Sequence, residues 1–262
     1  MKQFFVKQIK KSSLIFHNTV IKICNIIMHM KGLLGNYKQF IHQFLNNGYR
    51  TKFFTDNLQK KNNLIVRHDI DFDIDLAKKI AIIEHDLGIK STFFFLLRSP
   101  FYNILEEDNF KSINLIKQLG HQISIHFDST NYTDIRKGVK YELSLFNELF
   151  GIEPKIISIH RPDKIFINNE ISIKGVSHTY EPKFFHGLKY IADSRGSFRY
   201  GHPFQTKEFI NRDSIHLCIH PIWWMTKKYK SPLDLIESYL DIKFEKLKES
   251  MEKNFLPYKR GK

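Results

Sequence analysis

Cysteine is nearly absent: the 262 residues carry two, Cys24 and Cys218. They stand far apart and match no paired metal spacing. That excludes a disulfide scaffold and leaves two reduced core thiols, as suits a cytosolic protein. No unbroken apolar run reaches the length of a membrane span. The one candidate, Leu14 to Met30 behind Lys2, Lys7, Lys10 and Lys11, is interrupted by His17, Asn18, Lys22 and Asn25. It reads as a basic amphipathic helix, either packed on the domain or lying on a membrane surface, and not as a signal peptide. A Gly-rich phosphate loop, a G-x-S-x-G nucleophile turn and an H-E-x-x-H pair are all missing. Nucleotide-fold and serine-hydrolase chemistry therefore have no anchor.

What is present is positive charge and apolar bulk. The net charge is +14; 42% of all residues are hydrophobic, and 14% of all residues are aromatic. This is a globular composition, long enough for one large domain with a substantial core. The lysines are scattered and form no stripe interleaved with aromatics, so no nucleic-acid partner is expected. Residues 1–36 read as the basic helical extension and residues 37–262 as the folded domain.

From Tyr37 onward helical and strand patterns alternate without a linker or repeat. Leu64-Ile65-Val66 begins a buried strand that runs into Arg67-His68-Asp69-Ile70-Asp71. Leu76, Ile80, Ile83 and Leu87 recur at helical spacing and stop at Gly88, and strand Thr92–Leu96 follows. The unit repeats with a helix closed by Gly120 before strand Gln122–His126. A longer helix closed by Gly151 precedes Ile156–His160. Near the end lies strand Ile215–His220, then a helix opened by Ser231 and Pro232. Such alternation predicts a mostly parallel α/β sheet. Polar residues collect where strands end: Asp69 and Asp71, His126, His160 and Arg161, and His220. Barrel enzymes build their sites on that face, which favours a barrel over an open sheet.

Asp69 and Asp71 lie two apart, so on a strand both carboxylates share a side. They are either a metal or base pair, which two close like charges require, or a solvated strand end. Asp73 is placed to cap the next helix. His126 alone would be an ordinary strand histidine, but His160 and His220 end other strands. Imidazole and carboxylate together suit zinc or a similar divalent ion. His121, at the start of its strand, reads as structural. Asp193 is a natural partner for Arg161. Trp223 and Trp224 either stack on a sugar ring or pack in the core.

In this order, these segments resemble the polysaccharide deacetylase (NodB homology) superfamily, closest to divergent members in bacterial surface-polysaccharide biosynthesis. The resemblance covers roughly Tyr37 to Trp224. It rests on His68-Asp69-Ile70-Asp71, on Gly120 to His126, on His160-Arg161-Pro162, on Asp193 to Phe198, and on Leu217-Cys218-Ile219-His220. It implies a distorted (β/α) barrel in which Asp69 is the catalytic base, oriented by Arg161, and His220 the general acid. Asp71 and His126 would hold a divalent ion, zinc by preference. Thr130 stands where the superfamily has another histidine, so the third ligand is Asp128 or His160.

The implied activity is removal of an N-acetyl group from a sugar in capsule or O-antigen biosynthesis, on a nucleotide-linked, lipid-linked or oligosaccharide substrate. The protein would be cytoplasmic, with peripheral contact to the inner membrane. Two alternatives stay open: a catalytically degenerate barrel binding glycan or a partner protein, and a metal-dependent hydrolase of another ester or amide.

Overall fold

The computed structural model describes residues 31–199, 201–227 and 229–255. The helix expected before residue 31, and Cys24 with it, lie outside the described residues. The alternation predicted from the sequence becomes β1 (Arg50–Lys52), β2 (Asn63–Ile70), β3 (Thr92–Phe95), β4 (Gln122–Phe127), β5 (Ile156–Ile159), β6 (Ser177–His178), β7 (Lys189–Ala192) and β8 (Ile215–Ile219). The helices are α1 (Tyr37–Asn46), α2 (Ile74–Asp86), α3 (Glu107–Gln118), α4 (Ile135–Phe150), α5 (Lys164–Ile167), α6 (Pro182–Phe185), α7 (Lys207–Asn211) and α8 (Pro232–Asn254).

The helix boundaries follow local chemistry. Asp73 caps α2 by accepting from the Asp75 and Leu76 amides, and Ser231 caps α8, which opens on Pro232. Gly151 ends α4 in the left-handed region, at φ 64°. Strands β1, β6 and β7, with two to four residues each, were too short to show a period in the sequence.

The sheet runs β6-β5-β4-β3-β2-β8-β7, with β1 beside the first half of β2. Every pairing is parallel. Among the described residues β6 and β7 do not pair; Phe185 of α6, the helix that connects them, packs its ring 5.1 Å from that of Tyr190 on β7. The result is a distorted (β/α) barrel that does not fully close.

Strand periodicity decides what faces inward. On β2, Leu64, Val66 and Ile70 pack outward into the main core with the helices, whereas Ile65 joins Phe94 and Ile156 in a separate inner cluster. The same alternation turns Arg67, Asp69, Ser124, His126, Ser158 and Cys218 to the inner side, all buried. The inside is apolar at the strand starts and polar towards their ends. Residues 32–35 already pack on the barrel: the Leu34 amide donates to the Trp223 carbonyl at 3.2 Å, and a Cβ on Gly32 would collide with the Trp223 and Trp224 carbonyls. None of the described helices is long and apolar enough to cross a membrane.

Outside the barrel, one polar cluster ties β2 to the helices. Glu84 of α2 is fully buried and accepts from Tyr37 at 2.5 Å and from Ser91 at 2.5 Å, with His68 Nε2 at 2.9 Å. His121, read from the sequence as structural, bonds Ser91 at 2.8 Å and the Ala81 carbonyl at 3.0 Å. Removing the carboxylate takes the acceptor from three buried groups, Tyr37, His68 and Ser91. Glu84→Ala is therefore expected to lower unfolding free energy by about 3 kcal/mol or more, read as a shifted urea midpoint with an unchanged slope.

Candidate functional site

β2, β4, β5 and β8 end around one cavity of about 590 Å³, whose lining includes Asp69, Asp71, His126, His160, Cys218 and His220. A larger cavity of about 850 Å³ lies elsewhere, beneath residues 54–60, but holds no histidine or cysteine. The chemistry is at the strand ends.

Two carboxylates on β2 and just after it have different environments. Asp69 is 4% exposed and gripped by Arg67, two residues earlier on the same face: Nε donates to Oδ1 at 2.8 Å and Nη2 to Oδ2 at 2.6 Å. Ser158 donates to Oδ1 at 2.9 Å, and the Cys218 thiol lies 3.6 Å from Oδ2. Burial pushes the Asp69 carboxyl up, but Arg67, aided by His126 and His220, holds it well below the usual carboxylate range. Burial pushes the Cys218 thiol up, so it stays protonated.

Asp71 stands among imidazoles. Its Oδ1 lies 3.2 Å from His126 Nε2 and 3.4 Å from His160 Nδ1, and its Oδ2 is 3.8 Å from His220 Nε2. Burial opposes ionisation here too, and the surrounding histidines overcome it, keeping Asp71 well below its ordinary value. Oδ1 is buried without a hydrogen-bond partner of good geometry.

His126 Nε2 and His160 Nδ1 are 3.0 Å apart. Asp71 Oδ1 and these two nitrogens thus form a triangle with edges of 3.0, 3.2 and 3.4 Å. Three ligands of one tetrahedral ion, with bonds of about 2.0–2.2 Å, stand roughly 3.4 Å apart. The donor set and its unpartnered oxygen fit a divalent cation, with zinc suited to the mixed imidazole and carboxylate ligands. The Arg161 Nε donates to His160 Nε2 at 2.8 Å. A neutral His160 so bonded carries its proton on Nδ1, and metal uptake there must displace that proton.

On the opposite side His220 Nδ1 meets Asp193 Oδ1 at 2.6 Å, leaving Nε2 towards the cavity. Asp193 is fully buried and also accepts from the His220 amide and from Trp224 Nε1, the latter at 2.7 Å. Burial pushes the His220 pKa down, but the Asp193 carboxylate more than offsets this and, with Asp71 and Asp69, raises it to about 9.

Four expectations change. Arg161 contacts His160, and the cation on Asp69 is Arg67. Asp193 turns to His220 and Trp224 instead of Arg161, because β7 lies directly beside β8. Asp128 is not in the metal-ligand geometry; its Oδ1 caps a short turn by accepting from the Thr130 amide and hydroxyl. Trp224 is fully buried among Tyr37 and Phe40 and offers no face to a sugar, whereas Trp223, 5% exposed, still lines the cavity. Arg67 and Ser158 were not singled out from the sequence. The two-residue spacing that linked Asp69 to Asp71 applies equally to Arg67 and Asp69.

No protein-family model matches the chain, and no curated protein matches it in sequence. Solved structures do. A peptidoglycan deacetylase of Bdellovibrio bacteriovorus aligns at 13% identity and a TM-score of 0.41, over 74% of this chain and 53% of its own, so the chain spans about half its length. A family 4 carbohydrate esterase from Bacillus anthracis aligns at 16% identity and 0.39, over 79% of this chain and 86% of its own. A family 4 pseudoenzyme from the same organism aligns at 11% identity and 0.38, over 72% and 62%.

Proposed function

We propose that this protein is a metal-dependent hydrolase that removes an N-acetyl group from a sugar, acting in surface-polysaccharide biosynthesis at the cytoplasmic side of the membrane. The observation that carries the chemistry is the triangle of Asp71, His126 and His160 donors, closed on an unpartnered buried oxygen and flanked by an ionised carboxylate and a charged imidazole.

A divalent ion held by those three residues would acidify a water and polarise the acetyl carbonyl. Asp69, kept ionised by Arg67, takes the proton from the attacking water. Arg67 and Ser158 fix that carboxylate so that it does not rotate away. His220, charged and oriented by Asp193, gives a proton to the departing amine. Trp223 and Phe72 supply apolar walls for the sugar.

A catalytically degenerate barrel is the second reading, favoured by the Arg161 bond to the nitrogen of His160 that a metal-bound ring would protonate. Metal analysis and acetate release from N-acetylated sugars separate the two. About one equivalent of metal with acetate release supports the hydrolase; less than about half an equivalent, unchanged by Asp71→Asn, supports the binding barrel.

Asp69→Asn is expected to lower kcat by about 10²- to 10⁴-fold with metal content retained, whereas His126→Ala loses metal and activity together. Arg67→Lys keeps the charge but not the two-pronged grip. It is expected to cost at least about tenfold in kcat with little change in KM or bound metal. Circular dichroism and metal content show whether the fold survived.

The His220–Asp193 pair also sets a pH dependence. In chelator-treated protein a folded pKa of about 9, above the ordinary 6.5, means the pair stabilises fully below pH 6.5. That contribution is lost as pH rises through about 9. NMR titration of His220 should place its midpoint near the upper value, and Asp193→Asn should bring it down.

A further inference from the structure

We propose that the substrate carries an anionic group of the phosphate class beside its N-acetylated sugar, and that Arg161 and Arg195 at the cavity rim receive it. The proposal rests on the deacetylase reading for the acetyl group and on separate residues for the anion.

Both arginines line the cavity that contains Asp71 and His220, and both are exposed. Both hold left-handed backbone, at φ 46° and 63°, a conformation that residues with a side chain seldom adopt and that clusters at ligand sites. Among the described residues neither has a carboxylate partner. Among those residues Arg161 makes one side-chain hydrogen bond, from Nε to His160 Nε2 at 2.8 Å, which leaves its two terminal nitrogens for a ligand. Several lysines elsewhere on the surface do pair locally, Lys155 with Glu153 at 3.3 Å, Lys183 with Glu181 at 3.1 Å and Lys61 with Asp213 at 3.6 Å.

The acids within reach of the cavity are already committed. Asp69 is held by Arg67, Asp71 stands among three imidazoles, and Asp193 is bonded to His220 and Trp224. The rim therefore presents two guanidinium groups with no counter-charge. A guanidinium grips a phosphate through two parallel hydrogen bonds, which a neutral glycan cannot offer. Next to them the wall is apolar, formed by Phe72, Trp223 and Leu233, the last 68% exposed. A phosphate joined to an apolar carrier or to a nucleoside suits this surface.

The test compares kcat/KM for deacetylation of methyl N-acetylglucosaminide, N-acetylglucosamine 1-phosphate, and the same sugar linked to uridine diphosphate or, in detergent, to a short polyprenyl diphosphate. At least about a tenfold preference for the phosphorylated sugars is expected, shrinking as salt rises from about 0.05 to 0.5 M. Arg195→Gln should remove most of that preference while leaving the methyl glycoside within about twofold. A diphosphate-linked substrate that outperforms the 1-phosphate supports the proposal and identifies the carrier. Equal rates on charged and neutral sugars overturn it and leave the deacetylase reading standing. So does a preference that persists in both Arg195→Gln and Arg161→Gln. If no sugar is hydrolysed, the hydrolase reading falls. Calorimetry on Asp69→Asn then decides the anion site: tighter binding of the 1-phosphate that is lost in Asp69→Asn/Arg195→Gln keeps it, and equal binding removes it.

Discussion

Inside the barrel, a guanidinium and a carboxylate share one face of one strand, and the arrangement of the site depends on that pair. Arg67 is 1% and Asp69 4% exposed. Desolvating two charges is costly, and the cost is recovered only where geometry is good and remaining donors and acceptors are met. Here two parallel bonds join them, Ser158 bonds both, and the Tyr180 ring lies 5.2 Å below the guanidinium. The pair is a poor route to stability by itself. Its effect is to keep an unprotonated carboxylate in a fixed orientation beneath a cluster of histidines.

The parallel barrel makes this possible by separating its two faces. Outward positions on the strands are filled by Ile, Leu, Val and Phe against the helices, and that layer does the work of folding. Inward positions near the strand ends are then released for polar side chains, whose burial the outer layer can support. The Glu84 cluster belongs to the outer layer and joins α1, α2, β2 and the segments before β3 and β4 through hydrogen bonds. Its position directly behind Asp69, through His68, gives β2 a polar tie on both faces.

The site divides into two electrostatic halves. Around Asp71, two histidines at 3.2 and 3.4 Å leave a buried oxygen that a cation would satisfy. Around His220, a fully buried carboxylate raises the imidazole to about 9, so it is charged at neutral pH. Groups of opposite protonation state thus stand side by side on the wall of one cavity, with Asp71 Oδ2 3.8 Å from His220 Nε2. Sites that combine a proton acceptor and a proton donor depend on such separation of environments.

The sequence by itself determined the five strands β2, β3, β4, β5 and β8 and the longer helices between them, the caps at Asp73 and Ser231, the mostly parallel sheet, and the gathering of Asp69, Asp71, His126, His160 and His220 at one rim. These follow from local periodicity and from the rule that parallel strands end on one face. Only the tertiary structure decided the partners. Arg67 and not Arg161 meets Asp69, because the two share a strand face while Arg161 leaves β5 in a left-handed turn. Asp193 meets His220 because β7 and β8 are neighbours, a pairing across the sheet that spacing along the chain does not encode. Trp224 went to the core because α1 brings Tyr37 and Phe40 against it, a contact between distant stretches that only the folded chain makes; Asp128 closes a local turn onto Thr130 instead of reaching the histidines.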